Sequence, residues 1–379
     1  MEIIDVKTYP ISFPLKEAAH DATGIWRAWN TIIVKVYADD GTIGIGEVGP
    51  IHGGGMGAFK AMIDERLKKI IIGENPFNRE KIFEKMLGYG TSAYAFGTKG
   101  AIVSAIAGID IALWDLVGKA LKVPIYDLLG GKCREKIPAY ASGFFGKSGK
   151  PPTPEECASE ASAYVEEGFT AMKMKVGFDP KGDLKRVEAV RNAIGSQIDL
   201  MVDANQGYSL PLAVKMAKLF SRYDVAWLEE PIPINDIEAL AALSSVSEIP
   251  IAAGENYYTR YEFRDLLVKR AVDIVQPDII HAGGITECKK IASMASAWNI
   301  PCAPHIHSTI GMVASIHLLA SIPNGLIAEY ITRGGSLALR EELLEKPPRV
   351  KKGYIEVPKN PGLGVELNER TLEKYSTLH

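Results

Sequence analysis

Cysteine is scarce in this chain of 379 residues. The four present, Cys133, Cys157, Cys288 and Cys302, are dispersed with no C-x-x-C pair, which argues against a disulfide framework or a thiolate zinc centre and leaves buried free thiols. A surplus of one charge is missing too. A formal net charge of -3 and a pI near 6.2 give no basic footprint for nucleic acid and no polycationic run for an anionic membrane. No stretch approaches the roughly 20 uninterrupted apolar residues of a membrane helix, and Met1-Glu2-Ile3-Ile4-Asp5 lacks the basic start of a signal peptide, so the expected compartment is the cytoplasm. Low-complexity segments and short-period repeats are absent. A dinucleotide site is excluded as well: Gly44-Ile45-Gly46-Glu47-Val48-Gly49 has the G-x-G-x-x-G spacing, but Pro50 and Gly53-Gly54-Gly55 follow where a helix must start at once. Its glycines are expected to serve a turn and a loop through His52 that closes over a ligand.

What is present is a core. With 47% hydrophobic residues the chain can build one large domain and a smaller one. Residues 3–14 and 31–37 read as strands, and Asp39-Asp40-Gly41 turns the chain into a third at 42–47. Between the first two, residues 20–29 combine His20, Trp26, Arg27 and Trp29, costly decoration for a plain connector and therefore a candidate lid. The segment 57–129 is helical in period. Asp110 and Asp115 within it are read as a helix cap or an exposed face. From residue 131 to about 333, strand-like and helix-like segments alternate, with strands at 137–141, 172–176, 198–202, 226–228, 251–253, 274–276, 300–303 and 325–329. This alternation predicts a closed parallel α/β barrel. The tail, with a strand near residue 354, is expected to fold back on the N-terminal part.

One strand is electrostatically odd. In Ala171-Met172-Lys173-Met174-Lys175-Val176-Gly177 the two lysines share a face, because alternate residues of a strand point the same way. Two ammonium groups side by side in a core repel each other and lose hydration, so they require anions. The following strand ends supply them: Asp203, Glu229 and Glu255 stand 28, 26 and 26 residues apart starting from Lys175, one strand-plus-helix unit each. Barrel catalytic groups gather at that rim. Three converging carboxylates raise one another's pKa unless a cation holds them, and hard oxygen donors select Mg2+ or Mn2+. The next ends carry Asp278 and His305, a carboxylate placed to orient an imidazole acid or base, and then Glu329, able to bond a developing oxyanion if protonated. His307 could line the loop, His281 could support the site from behind, and His317 reads as structural.

These residues resemble the enolase superfamily, specifically its mandelate racemase subgroup. The likeness runs through Gly44-Ile45-Gly46-Glu47, Ala112-Leu113-Trp114-Asp115-Leu116, Leu129-Gly130-Gly131, the K-x-K strand, the three carboxylates, Asp278 and His305. It implies an α/β protein with a modified (β/α)7β TIM-like barrel at residues 131–353. An α+β capping domain at residues 1–130 would be completed by the tail 354–379. It further implies Mg2+ held by Asp203, Glu229 and Glu255, Lys175 as one acid/base, and His305 with Asp278 as the opposing one. Lys173 would bind the substrate carboxylate and lower the pKa of Lys175. Ser142, Asn205 and Glu329 would bond substrate, with His20, Arg27 and His52 from the lid. Expected partners are a small-molecule carboxylate and further copies of the chain, with neither nucleic acid nor membrane.

The chemistry so implied is removal of a proton α to a carboxylate. The polar lid residues favour a sugar acid dehydrated to a 2-keto-3-deoxy acid. The alternative is two-base racemisation of a 2-hydroxy acid or proline-type amino acid, which Trp26 and Trp29 could cover. Glu329-Tyr330-Ile331 lacks the D-x-D pair of dipeptide epimerases, and His305 speaks against muconate-type cycloisomerisation. Outside this chemistry stand a Schiff-base aldolase, which has no use for three carboxylates, and a catalytically inert binding scaffold.

Overall fold

The computed structural model describes residues 1–49, 54–90, 97–333 and 335–377. The chain opens on an antiparallel meander of β1 (Ile3–His20), β2 (Ile25–Ala38) and β3 (Ile43–Val48). Residues 20–29 are not a loop. Both strands run on past the expected ends, through an irregularity between Pro14 and Ala19, to a tight turn at 21–24. The tip is paired on its outer side with β5 (Gly146–Lys147), giving the sheet order β3-β2-β1-β5.

Strand β2 shows why period-2 patterning matters here. Ile32, Val34 and Val36 enter one core with a helical layer, while Trp29 and Ile33 on the other face enter the core of the second layer. The sheet is therefore apolar on both sides. The helical layer includes Ala101–Leu121, whose residues 102–118 are all buried. This helix is long and apolar enough on average to cross a membrane, but Asp110, Asp115 and Lys119 interrupt its apolar run and it lies inside the protein. Gly44 and Gly46 sit within β3 rather than in a turn. A Cβ at either would meet a helix carbonyl, Ala112 O or Gly108 O, at 2.0 Å. Their absent side chains let strand and helix touch.

The second layer is a parallel sheet in the order β10-β9-β8-β7-β6-β4. Its members are β4 (Lys136–Ser142), β6 (Ala171–Lys175), β7 (Asp199–Asp203), β8 (Val225–Glu229), β9 (Ile251–Ala253) and β10 (Ile274–Val275), and β11 (Ala328–Ile331) pairs with the free side of β4. Helices such as Pro180–Ile194, started by the Asp179 side chain bonding Gly182 N, return the chain between strands. The expected strand at 300–303 is a single bridge at Cys302, which touches Val275 on one side and Gly325 on the other. This is the modified α/β barrel, capped by the α+β layer.

The tail divides. β13 (Tyr354–Glu356) pairs antiparallel with β4 and β12 (Val350–Lys351) pairs antiparallel with β13, extending the barrel sheet. The helix Glu369–Tyr375 instead returns to the meander, where Lys35 Nζ meets Glu369 Oε1 at 2.7 Å.

Candidate active site

The ladder register lines up the odd residues found in the sequence. Lys175 on β6 pairs with Asp203 on β7, which pairs with Glu229 on β8. Met172, Met174 and Val176 face the surrounding core, so Lys173 and Lys175 are turned to the barrel interior. Glu255 follows β9 through Gly254, where φ is +156° and a Cβ would strike the Gln276 backbone at 2.6 Å. Oxygen atoms of Asp203, Glu229 and Glu255 all lie within 4.8 Å of one another.

The anions that the lysines need are those same carboxylates. Lys173 Nζ lies 2.5 Å from Glu229 Oε1 and 3.0 Å from Glu329 Oε1, and Lys175 Nζ lies 2.6 Å from Asp203 Oδ2. Across the mouth, His305 Nδ1 is 2.7 Å from Asp278 Oδ2 and its Nε2 is 3.1 Å from Glu255 Oε2. Ile306 N donates to Glu329 Oε2. Glu229 is also bonded by Gln276 Nε2 at 2.6 Å and Trp227 Nε1 at 3.2 Å.

Two expectations about protonation are corrected by this arrangement. Burial pulls the Lys175 ammonium toward neutrality and Lys173 pulls the same way, but Asp203, Asp21 and Glu255 together outweigh them and hold its pKa above the usual lysine range. Burial favours a protonated Glu329, yet Lys173, His305 and His307 outweigh it and hold the carboxyl well below the usual range. Burial also opposes a charged His305. Glu255 and Asp278 overcome it, and the imidazole titrates at about 10. Glu229 is pushed up to about 7, chiefly by burial, despite Lys173.

The remaining predicted residues fall into three groups. Ser142 ends β4 in register with Lys173, its carbonyl accepting from Thr332. Asn205, at a positive φ of 39°, donates its N–H to Asp203 Oδ1 at 2.9 Å. His20, at the hairpin tip, stacks its ring 5.1 Å from Phe178 just beyond β6. Arg27 is not brought to the cluster. It lines an exposed groove with Lys16, Glu17 and Ser148. His52 lies outside the described residues.

The hairpin nevertheless reaches both Lys175 and His305 through aromatic rings. Trp26 packs edge-on against Phe145, over which Lys175 Nζ sits at 5.6 Å, and Trp29 packs against His307, whose ring lies 4.5 Å from that of His305. Buried Asp21 in the turn adds negative potential at Lys175. His281 bonds Ser104 across the layers at 3.0 Å, and His317 bonds Leu363 O at 2.9 Å in a structural role.

Sequence reasoning missed three buried carboxylates that lock the layers together. Glu47 Oε2 accepts from the backbone N–H of Thr309, Ile310 and Gly311, just beyond His305. Asp110 accepts from Thr286, and Asp115 from Ile45 and Leu363. The cap or exposed-face reading of Asp110 and Asp115 is therefore wrong: both are essentially inaccessible, and each is bonded by other elements, Asp115 also by Lys119 one turn along its own helix.

The donor set suits a hard divalent cation. It is all-carboxylate and buried at Asp203 and Glu229, and the neighbouring Asn205 Oδ1 is buried with no donor of its own. Comparison with known proteins agrees in scale. The family model described as "Mandelate racemase / muconate lactonizing enzyme, N-terminal domain" matches residues 3–130, and "Enolase C-terminal domain-like" matches residues 156–371. The chain is 36% identical over 366 residues to a D-xylonate dehydratase of Haloferax volcanii, covering 91% of this chain and 85% of that one. It is 31% identical to an arabinonate dehydratase of Saccharolobus solfataricus, covering 98% and 99%. A crystal structure of a racemase from Streptomyces coelicolor A3(2) with bound magnesium superposes with a TM-score of 0.90 at 31% identity, covering 99% of this chain and 100% of that chain.

Proposed function

Because this chain belongs to the mandelate racemase and muconate lactonizing enzyme family of the enolase superfamily, we propose that it is a Mg2+-dependent dehydratase of sugar acids. It would remove the proton α to the carboxylate and expel the β-hydroxyl, leaving a 2-keto-3-deoxy acid. The observation that carries this reading is the placement of two proton-transfer groups on one set of carboxylates. Lys175 lies against Asp203 and His305 against Glu255, each an oxygen donor of the same triad. The dehydratase names of the two relatives favour sugar acids.

Asp203, Glu229 and Glu255 would hold the cation. When bound, Mg2+ supplies positive charge for the second negative charge that deprotonation places on the carboxylate. Lys173, kept charged by Glu229 and Glu329 against the pull of burial, holds the substrate carboxylate and so steers the α-proton toward Lys175. Asp203 is the largest of the negative charges that keep Lys175 protonated. Were Asp203 to serve as a ligand, its hold on Lys175 would weaken while Lys173 still repels the charge, so that Nζ could lose its proton to solvent and take the one from Cα. His305 enters protonated, with Asp278 fixing Nδ1, and Nε2 delivers its proton to the departing hydroxyl. The substrate loses H+ from Cα and OH- from Cβ, and tautomerisation of the resulting enol gives the keto acid.

Incubation with Mg2+ and a panel of sugar acids in D2O, assayed for keto acid and α-deuterium, tests this. Keto acid that EDTA abolishes is the expected result. Deuterium with inverted configuration and no keto acid identifies a racemase, and EDTA-resistant turnover defeats the metal reading.

A further inference from the structure

Glu230 follows the ligand Glu229 directly, yet its side chain does not take the opposite face that strand alternation dictates. Its φ is +36°, a left-handed conformation that costs a non-glycine residue free energy and persists only where surroundings enforce it. Glu230 is 1% exposed, and its carboxylate accepts both contacts of Asn256 Nδ2, at 3.0 and 2.9 Å. Gln206 Nε2 approaches the same carboxylate at 3.3 Å, and Gln206 N donates to the Glu230 carbonyl at 2.7 Å. The opposite end of the Gln206 amide accepts from Ile234 N. Asn256 adjoins Glu255, and Gln206 is three residues beyond Asp203. One buried carboxylate thus fastens together the three loops that carry Asp203, Glu229 and Glu255.

We propose that Glu230 is a positioning residue that sets the spacing of the three metal-ligating carboxylates, by tying Gln206 and Asn256 into one hydrogen-bonded rim outside them. This rests on the metal reading of the triad. The Glu230 side chain is itself occupied by amide donors, so its part is to hold the ligands' backbones rather than to touch the ion. Without the tie, each loop keeps its strand but loses its lateral registration, and ligand oxygens held within 4.8 Å of one another drift apart.

The test is Mg2+ alone, titrated calorimetrically into the wild type and into Glu230→Gln, Asn256→Ala, the double variant and Asp203→Asn, each checked for an unchanged near-UV spectrum. Glu230→Gln keeps the size but replaces one of the two acceptor oxygens by an NH2 donor, so the amides of Asn256 and Gln206 can no longer both be accepted as before. Each rim variant is expected to bind Mg2+ about 10- to 100-fold more weakly, the range for partners that orient metal ligands. The double variant should be no weaker than the worse single one, since both break one link. Affinity within twofold of wild type in both single variants overturns the proposal. Loss in Glu230→Gln as complete as in Asp203→Asn also overturns it, by making Glu230 a ligand. Wild-type affinity in Asp203→Asn defeats the metal site itself, and this inference with it.

Discussion

Replacing Lys173 by Met removes one buried cation while keeping the apolar stem. Its Nζ stands 2.5 Å from Glu229 Oε1, 3.0 Å from Glu329 Oε1 and 3.8 Å from Asp203 Oδ2. At an effective dielectric of about 20 these contacts are worth roughly 4 to 7 kcal/mol each before desolvation. Burying the four groups cancels most of that sum, so the informative quantity is the cost of removing one partner, about 3 to 5 kcal/mol. The metal-free variant should be less stable by that amount at pH 8, and by less at lower pH, where protons can neutralise the abandoned carboxylates. Mg2+ should recover more stability in the variant than in the wild type, because no ammonium competes for Glu229 and Asp203. Turnover should move the other way, falling about 10²- to 10³-fold, as it does when a donor to developing negative charge is removed. Urea denaturation with and without Mg2+ and a keto-acid assay measure both sides. Wild-type stability of the metal-free variant at pH 8, or retained turnover, would refute the reasoning.

Burial pushes the Glu229 carboxyl up to about 7 from its ordinary 4.5. The folded, metal-free protein therefore takes up a proton that the unfolded chain does not hold between pH 4.5 and 7. Raising the pH through that window should cost stability, by up to about 3 kcal/mol. The same proton competes with Mg2+, so Mg2+ affinity measured calorimetrically should fall about tenfold per pH unit below 7 and level off above it. Lys175→Ala should abolish α-proton exchange in D2O for one enantiomeric series while His305→Asn spares it; equal retention in both variants contradicts the division of roles. Glu47→Ala orphans three buried N–H groups at about 1 to 3 kcal/mol each. Its urea midpoint should report a loss of about 3 to 5 kcal/mol, and a loss under about 1 kcal/mol would show that the Glu47 tie is dispensable.

The barrel mouth was legible because parallel strands buried on both faces should carry no charge. Against that background Lys173, Lys175, Asp203, Glu229 and Glu329 stand out, and the 26-to-28-residue step from Lys175 through Asp203 and Glu229 to Glu255 marks one rim. Helices and loops give no such contrast. A lone Asp on a helix is unremarkable, and nothing near Asp110, Asp115 or Glu47 hints at partners 176, 248 and 262 residues away. In the sequence, Pro14, Lys16 and Glu17 look like the end of a strand, so the full length of the hairpin is not legible there. They are accommodated by an irregularity between Pro14 and Ala19 and by pairing of the tip with β5. Protonation was the least legible property, since it depends on which charges win at a few ångströms. Like charge between the two lysines suggested a neutral Lys175, but each found a nearer carboxylate, and those carboxylates are the expected metal ligands. On the proposed function, the state of Lys175 is therefore tied to the occupancy of these carboxylates. Lys175 is held charged chiefly by Asp203, one of the residues proposed to hold the cation, so the constellation that would activate the substrate would also control when Lys175 is free to act.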